Sequence, residues 1–154
     1  MRALIALAVL LIAVPAFADV SGPARVVDGD TLWIGETKIG LYGIDAPELK
    51  QTCTTRKGKV QHCGRLSMQH LVRLVRGQDV SCKDKTQNSD GRLMAVCRLG
   101  PFNLNEQMVI DGWALADRQD GKNYQRAETF AKARREGIWR STFDAPWDWR
   151  KTNR

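Results

Sequence analysis

The residues of this chain that could do cation or acid–base chemistry gather between Val26 and Glu48, in the stretch VVDGDTLWIGETKIGLYGIDAPE. Asp28, Asp30, Asp45 and Glu48 fall in two acidic turns joined by short apolar runs. Val26-Val27, Thr31–Ile34 and Ile39–Tyr42 are rich in β-branched and aromatic residues and are bounded by Gly, Asp and Pro, which predicts strands. Carboxylates at the ends of neighbouring strands can converge on one hard cation, because Ca²⁺ and Mg²⁺ take several oxygen ligands. The same letters also fit plain turn chemistry, with Asp28-Gly29 as a hairpin pair and Asp45-Ala46-Pro47 as a loop. Spacing alone does not choose between the two.

The rest of the chain adds context. DGDT at 28–31, GIDAPE at 43–48, DGR at 90–92, LN at 104–105, DGWA at 111–114 and AETFAKARREGIW at 127–139 follow one another in that order. Together they resemble the staphylococcal-nuclease-like (thermonuclease) family, from Ala24 to Arg140. The resemblance implies an α+β fold, a five-stranded OB-type β-barrel with three helices, and Ca²⁺-dependent hydrolysis of phosphodiester bonds. Fold and activity separate readily, so each site residue is weighed by itself.

In the family pattern the metal ligands match Asp30 and Asp45, with the Ala46 carbonyl able to complete the set. A small anionic set suits Ca²⁺, which tolerates irregular coordination and retained water. Asp28 then shapes the turn. Glu48 matches the general base that orients a water for attack on phosphorus. Two arginines answer the negative charge that builds up in the family's reaction. One matches Arg92; the position of the other is Gly40, which cannot imitate a bidentate guanidinium. Lys38 is the nearest cation, on the same strand face but about 7 Å back. Asp90 and Asp117 stand where the family often has nucleotide-binding tyrosines, and carboxylates there repel a phosphate.

Export and charge set the context. Met1–Ala18 reads as a signal peptide: Arg2, an apolar run Ala3–Val14, and Ala16-Phe17-Ala18 as the cleavage site. The run is too short to span a bilayer. The expected product is therefore periplasmic or secreted, without stable membrane insertion after cleavage, and a monomer. The chain has 24 basic and 17 acidic residues; removing Arg2 leaves 23 against 17, a net charge of +6. Such a protein is predisposed to DNA, RNA or another polyanion.

Cys53, Cys63, Cys82 and Cys97 all lie in the exported part, where an even count reads as disulfides. Three pairings are possible. Cys53–Cys63, closing a polar loop, and Cys82–Cys97, bridging two strands, are favoured. A metal role for Cys53, His62 and Cys63 lacks zinc-site spacing, so His62 and His70 are taken as surface residues.

Three segments follow: a signal peptide at 1–18, an OB-fold domain at 19–140, and a basic, aromatic tail at 141–154. Leu49–Cys63 reads as loop. Helices are expected over Arg65–Arg76, Asn103–Ile110 and Asn123–Glu136, and a strand pair over Asp79–Lys83 and Leu93–Leu99. The tail combines Trp147, Trp149, Arg150, Lys151 and Arg154 and could stack on bases, with tucking of the two tryptophans onto the barrel the favoured use. Two functional expectations emerge. One is a Ca²⁺-dependent endonuclease with Glu48 and Arg92 catalytic and Asp30 and Asp45 on the metal, attenuated by Gly40. The other is a non-catalytic OB-fold binder of nucleic acid or an acidic polymer, for example an accessory in exopolysaccharide production.

Overall fold

The computed structural model describes residues 19–153, without the side chains of Asp84 and Lys85. The expected signal peptide lies outside the described residues. Three strands open the chain: β1 (Val20–Val26), β2 (Thr31–Ile34) and β3 (Thr37–Leu41). Each pairs antiparallel with the next, Val26 opposite Leu32 and Thr31 opposite Gly40. After the short β4 (Ile44–Asp45), a hairpin of β5 (Cys53–Thr55) and β6 (Val60–Gln61) leads into helix α1 (Cys63–Val75). That hairpin replaces the loop expected for Leu49–Cys63; strands of three and two residues are too short to show a period.

The long strands β7 (Asp79–Gln87) and β8 (Leu93–Leu99) complete the barrel. β7 pairs with β1 and β8, and β8 returns to lie parallel to β3 through Gly40–Met94 and Leu41–Ala95. Five strands thus close on themselves, and closure removes the unpaired edges. A short β9 (Phe102–Asn103) precedes α2 (Leu104–Ile110), whose first turn is capped by the Asn103 side chain accepting from the Glu106 amide.

Asn105, from the LN motif, is fully buried at the closure. Its Oδ1 accepts from the Cys97 amide at 3.0 Å, and its Nδ2 donates to the Tyr42 and Ala95 carbonyls at 2.9 and 3.1 Å. One side chain therefore satisfies backbone groups on both sides of the parallel β3–β8 seam.

Next come β10 (Leu115–Ala116), pairing with β4, then α3 (Gln125–Arg134) and β11 (Ser141–Thr142), pairing with β5. α3 stops before the expected Glu136 because Arg135 itself takes a left-handed conformation, φ 56°. A fourth helix, α4 (Pro146–Thr152), forms where the sequence suggested only a tail. Pro146 at its first position has a preset φ and lacks only an N–H that a helix start leaves unused.

The core fills the barrel with Leu32, Ile39, Leu41, Val80 and Ala95, covered by Leu71 of α1 and Met108 of α2. A second cluster joins Cys53, Cys63, Leu115 and Ile138 to Trp147 and Phe143.

Cys82 and Cys97 are bonded, directly opposite one another on β7 and β8. The expected Cys53–Cys63 disulfide is not formed: both are buried thiols, in hydrogen-bond contact with each other. That contact pulls Cys53 down to about 7 and pushes Cys63 up. Replacing both Cys82 and Cys97 by Ser should lower the unfolding free energy by roughly 3 kcal/mol for a loop of this length. Urea denaturation of the oxidised protein and the double variant measures it.

Candidate functional site

Barrel closure brings together three loops from distant parts of the chain. The β1–β2 turn carries Asp28 and Asp30, the end of β4 and the segment after it carry Asp45 to Glu48, and the β7–β8 turn carries Arg92. All of these residues line one open cavity of about 420 Å³.

Each loop is held by local hydrogen bonds. Asp28 Oδ1 accepts from the Asp30 amide at 3.1 Å, a turn-shaping contact. Asp30 Oδ2 accepts from the Ala46 amide at 2.8 Å, which fastens the two acidic turns to each other. Asp30 Oδ1 accepts from the Thr31 hydroxyl at 3.0 Å. In the third loop, Asn88 Oδ1 accepts from the amides of Asp90 and Arg92 at 3.1 and 2.8 Å, and so sets where Arg92 leaves the turn.

Negative charge dominates the cavity. Burial, followed by the charges of Asp28 and Asp45, pushes the Asp30 carboxyl up to about 8, against the pull of the Ala46 amide and Arg92. Burial also pushes Asp45 upward, and the guanidinium of Arg150 opposes it. Asp90, Asp117 and Asp120 line the same cavity. Asp117 is occupied as a turn cap, accepting from the amides of Gln119 and Asp120 at 2.8 and 2.9 Å.

Arg150 was not anticipated. It reaches in from α4, with Nη1 2.9 Å from Asp45 Oδ1 and Nη2 2.7 Å from Asp45 Oδ2. Nη1 also donates to Glu48 Oε1 at 2.9 Å. The only sequence signal was a cluster of tryptophans and cations in the tail, with no indication of the target. Lys38, the expected substitute cation, is exposed and is not among the residues lining the cavity.

Gly40 is buried, and a Cβ there would point at the Met94 thioether, 2.5 Å from its sulfur, and at Arg92 Nε, 3.2 Å away. Position 40 therefore faces the cavity wall that carries Arg92, and its cross-strand neighbour Met94 fills the space.

Gln51, also missed, is fully buried behind Glu48. Its Oε1 accepts from the Glu48 amide at 3.2 Å, and its Nε2 donates to the Asp144 carbonyl at 2.7 Å. One amide thus joins the Glu48 loop to the approach of α4. Gly64, at the start of α1, leaves room for the Glu48 carbonyl, where any Cβ would collide.

His70 is no ordinary surface residue. Its ring stacks at 5.9 Å on Trp113, and its Nε2 lies 2.7 Å from Asp111 Oδ2. His62 is exposed. Among the described residues, no three His, Cys, Asp or Glu side chains cluster closely enough to hold a metal ion.

An OB-type barrel with an acidic cavity between its loops defines the class. Residues 38–141 match the staphylococcal nuclease homologue family. The chain belongs to that family. It is 32% identical to a micrococcal nuclease of Shigella flexneri, covering all of this chain and 94% of that protein. It is 31% identical to protein ParB of Escherichia coli, covering 98% of this chain and 90% of that one. It is also 32% identical to a succinoglycan biosynthesis protein, ExoI, of Rhizobium meliloti (strain 1021). That match covers 78% of this chain and spans 64% of the length of the Rhizobium protein.

Replacing Gln51 by Leu leaves the Glu48 amide and the Asp144 carbonyl without their partner. It should cost about 1–3 kcal/mol for buried groups left unsatisfied. It should also speed amide exchange in α4 relative to the barrel strands, as read by hydrogen exchange.

Proposed function

We propose that this chain is an exported, Ca²⁺-dependent nuclease that hydrolyses phosphodiester bonds in DNA and RNA. The observation that carries the reading is the convergence of Asp30, Asp45, Glu48 and Arg92 on one cavity from three separate loops. Membership of a family that includes a protein named micrococcal nuclease supports it. The leader-like start of the sequence and the Cys82–Cys97 bond support a periplasmic or secreted location.

The donor chemistry suits a hard cation. Asp30 is a carboxylate buried beside two others, and a nearby cation would offset that repulsion. Asp30 and Asp45 would hold the ion, with the Ala46 carbonyl as the third ligand that the family resemblance implies, and its charge would polarise a phosphodiester oxygen. Glu48, about a third exposed and with Oε2 outside the Arg150 contact, accepts the proton of a water attacking phosphorus. A new bond forms from the water oxygen to phosphorus, the bond from phosphorus to the leaving sugar oxygen breaks, and that oxygen takes up a proton from solvent in the open cavity to leave as the alcohol. Arg92 donates to a non-bridging oxygen as charge accumulates. The net positive charge of the chain draws the polyanion in, although the cavity itself is acidic.

A second reading is favoured by one observation, the filling of the Gly40 position by Met94 instead of a guanidinium. Under it the barrel binds a polyanion without cutting it, in a supporting role for exopolysaccharide production such as the name of the Rhizobium relative suggests.

The deciding experiment is hydrolysis of DNA and RNA by the purified chain, with Ca²⁺ and with chelator. Ca²⁺-dependent cleavage is expected, and Glu48→Gln should reduce it by roughly 10²–10⁴ while Ca²⁺ affinity persists. Binding of a polyanion with no cleavage under either condition selects the second reading. Gly40→Arg should raise hydrolysis if Met94 swings aside. Because a side chain at position 40 collides first with the Met94 thioether, the gain should be larger in Gly40→Arg combined with Met94→Ala, measured by initial rates.

A further inference from the structure

Among the described residues, the cavity is lined by seven carboxylates (Asp28, Asp30, Asp45, Glu48, Asp90, Asp117 and Asp120) and by two cations, Arg92 and Arg150. A phosphodiester carries its own negative charge, so such a wall repels it unless cations face it. Arg92 is one donor. The strand position beside it holds no second one, because Gly40 has no side chain and Met94 fills the gap.

Arg150 lines the same cavity, carried by an element built to hold it. Trp147, one turn earlier in α4, packs into the cluster with Leu115 and Ile138, and Arg118 stacks over its ring at 4.5 Å. Gln51 grips the chain just before the helix through the Asp144 carbonyl. The helix is therefore fixed by contacts that do not involve Arg150. The guanidinium bonds both oxygens of Asp45 and one of Glu48, yet the side chain remains 44% exposed. A guanidinium has five N–H donors, of which these contacts use three, so two remain for a ligand.

Resting on the nuclease reading of this site, we propose that Arg150 is the second phosphate-binding guanidinium, supplied by the C-terminal helix instead of strand β3. While the site is empty of ligand it balances Asp45 and Glu48. Because it takes both Asp45 oxygens, it competes with a divalent cation for that carboxylate. Cation binding thus frees the guanidinium for the phosphate. The two events are linked: losing Arg150 strengthens one and weakens the other. A helix-docking role alone would not divide them in this way.

The test uses calorimetry on the full mature protein, with Ca²⁺ alone and then with thymidine 5′-monophosphate at saturating Ca²⁺. Arg150→Met should bind Ca²⁺ several-fold more tightly and the nucleotide at least tenfold more weakly. Arg150→Lys should fall between it and the wild type, since ammonium is a point charge without the planar fork. Lys151→Ala, which removes the same charge from an exposed neighbour, should change neither affinity. An unchanged thermal midpoint in Arg150→Met certifies that the helix stays docked. If that variant unfolds, Arg150→Lys carries the comparison. Unchanged nucleotide affinity, or a joint fall in both affinities, overturns the assignment of Arg150 while leaving the nuclease reading in place. Failure of the wild type to bind Ca²⁺ at all overturns the calcium reading and the competition with it.

Discussion

Carboxylates packed together at the end of a barrel impose the constraint around which this molecule is arranged. A buried charge costs several kcal/mol unless something compensates it, and here burial, the charge of Asp28 and then that of Asp45 all disfavour an ionised Asp30. Asp30 is compensated from within the barrel, by the Ala46 amide, the Thr31 hydroxyl and the field of Arg92. Asp45 is compensated from outside it, by a guanidinium 105 residues further along the chain. The elements after the barrel are, to a large extent, the means by which that guanidinium arrives.

The supporting contacts follow from this. β11 adds to the β5–β6 hairpin, which sets the path of the chain after α3. Trp147 then anchors α4 on the cluster formed by Cys53, Cys63, Leu115 and Ile138. Gln51 spans the Glu48 loop and the chain entering α4 with a single buried amide. A buried side chain that satisfies backbone groups on two segments makes their positions depend on each other, since moving either leaves a polar group without a partner. Asn105 plays the corresponding part at the barrel seam.

Within a shared fold, function rests on the site and not on the barrel. The two acidic turns meet at one end of the barrel, while Gly40 on β3 bears no side chain and its register partner Met94 occupies the space beside it. The cation that reaches Asp45 comes from a helix docked on the outside, which places a charge at the site without entering the strand packing.

Strands β2, β3, β7 and β8, the first three helices and both acidic turns were legible in the amino-acid order, because apolar period, caps and Gly or Pro punctuation act over a few residues; of β1 only the end at Val26 was expected. Asp28, Asp30, Asp45, Glu48 and Arg92 were legible as motifs for the same reason. Pairing Cys82 with Cys97 followed from their places on adjacent strands. The hairpin at Cys53–Gln61 and the helix at Pro146–Thr152 escaped notice, being too short for a period to emerge. The thiol state of Cys53 and Cys63, the clasp of Gln51, the stacking of His70 and above all the reach of Arg150 to Asp45 had no local signature. Each depends on where separately formed elements dock. Docking is settled by packing and charge compensation between residues that may lie a hundred positions apart, which no window of sequence contains.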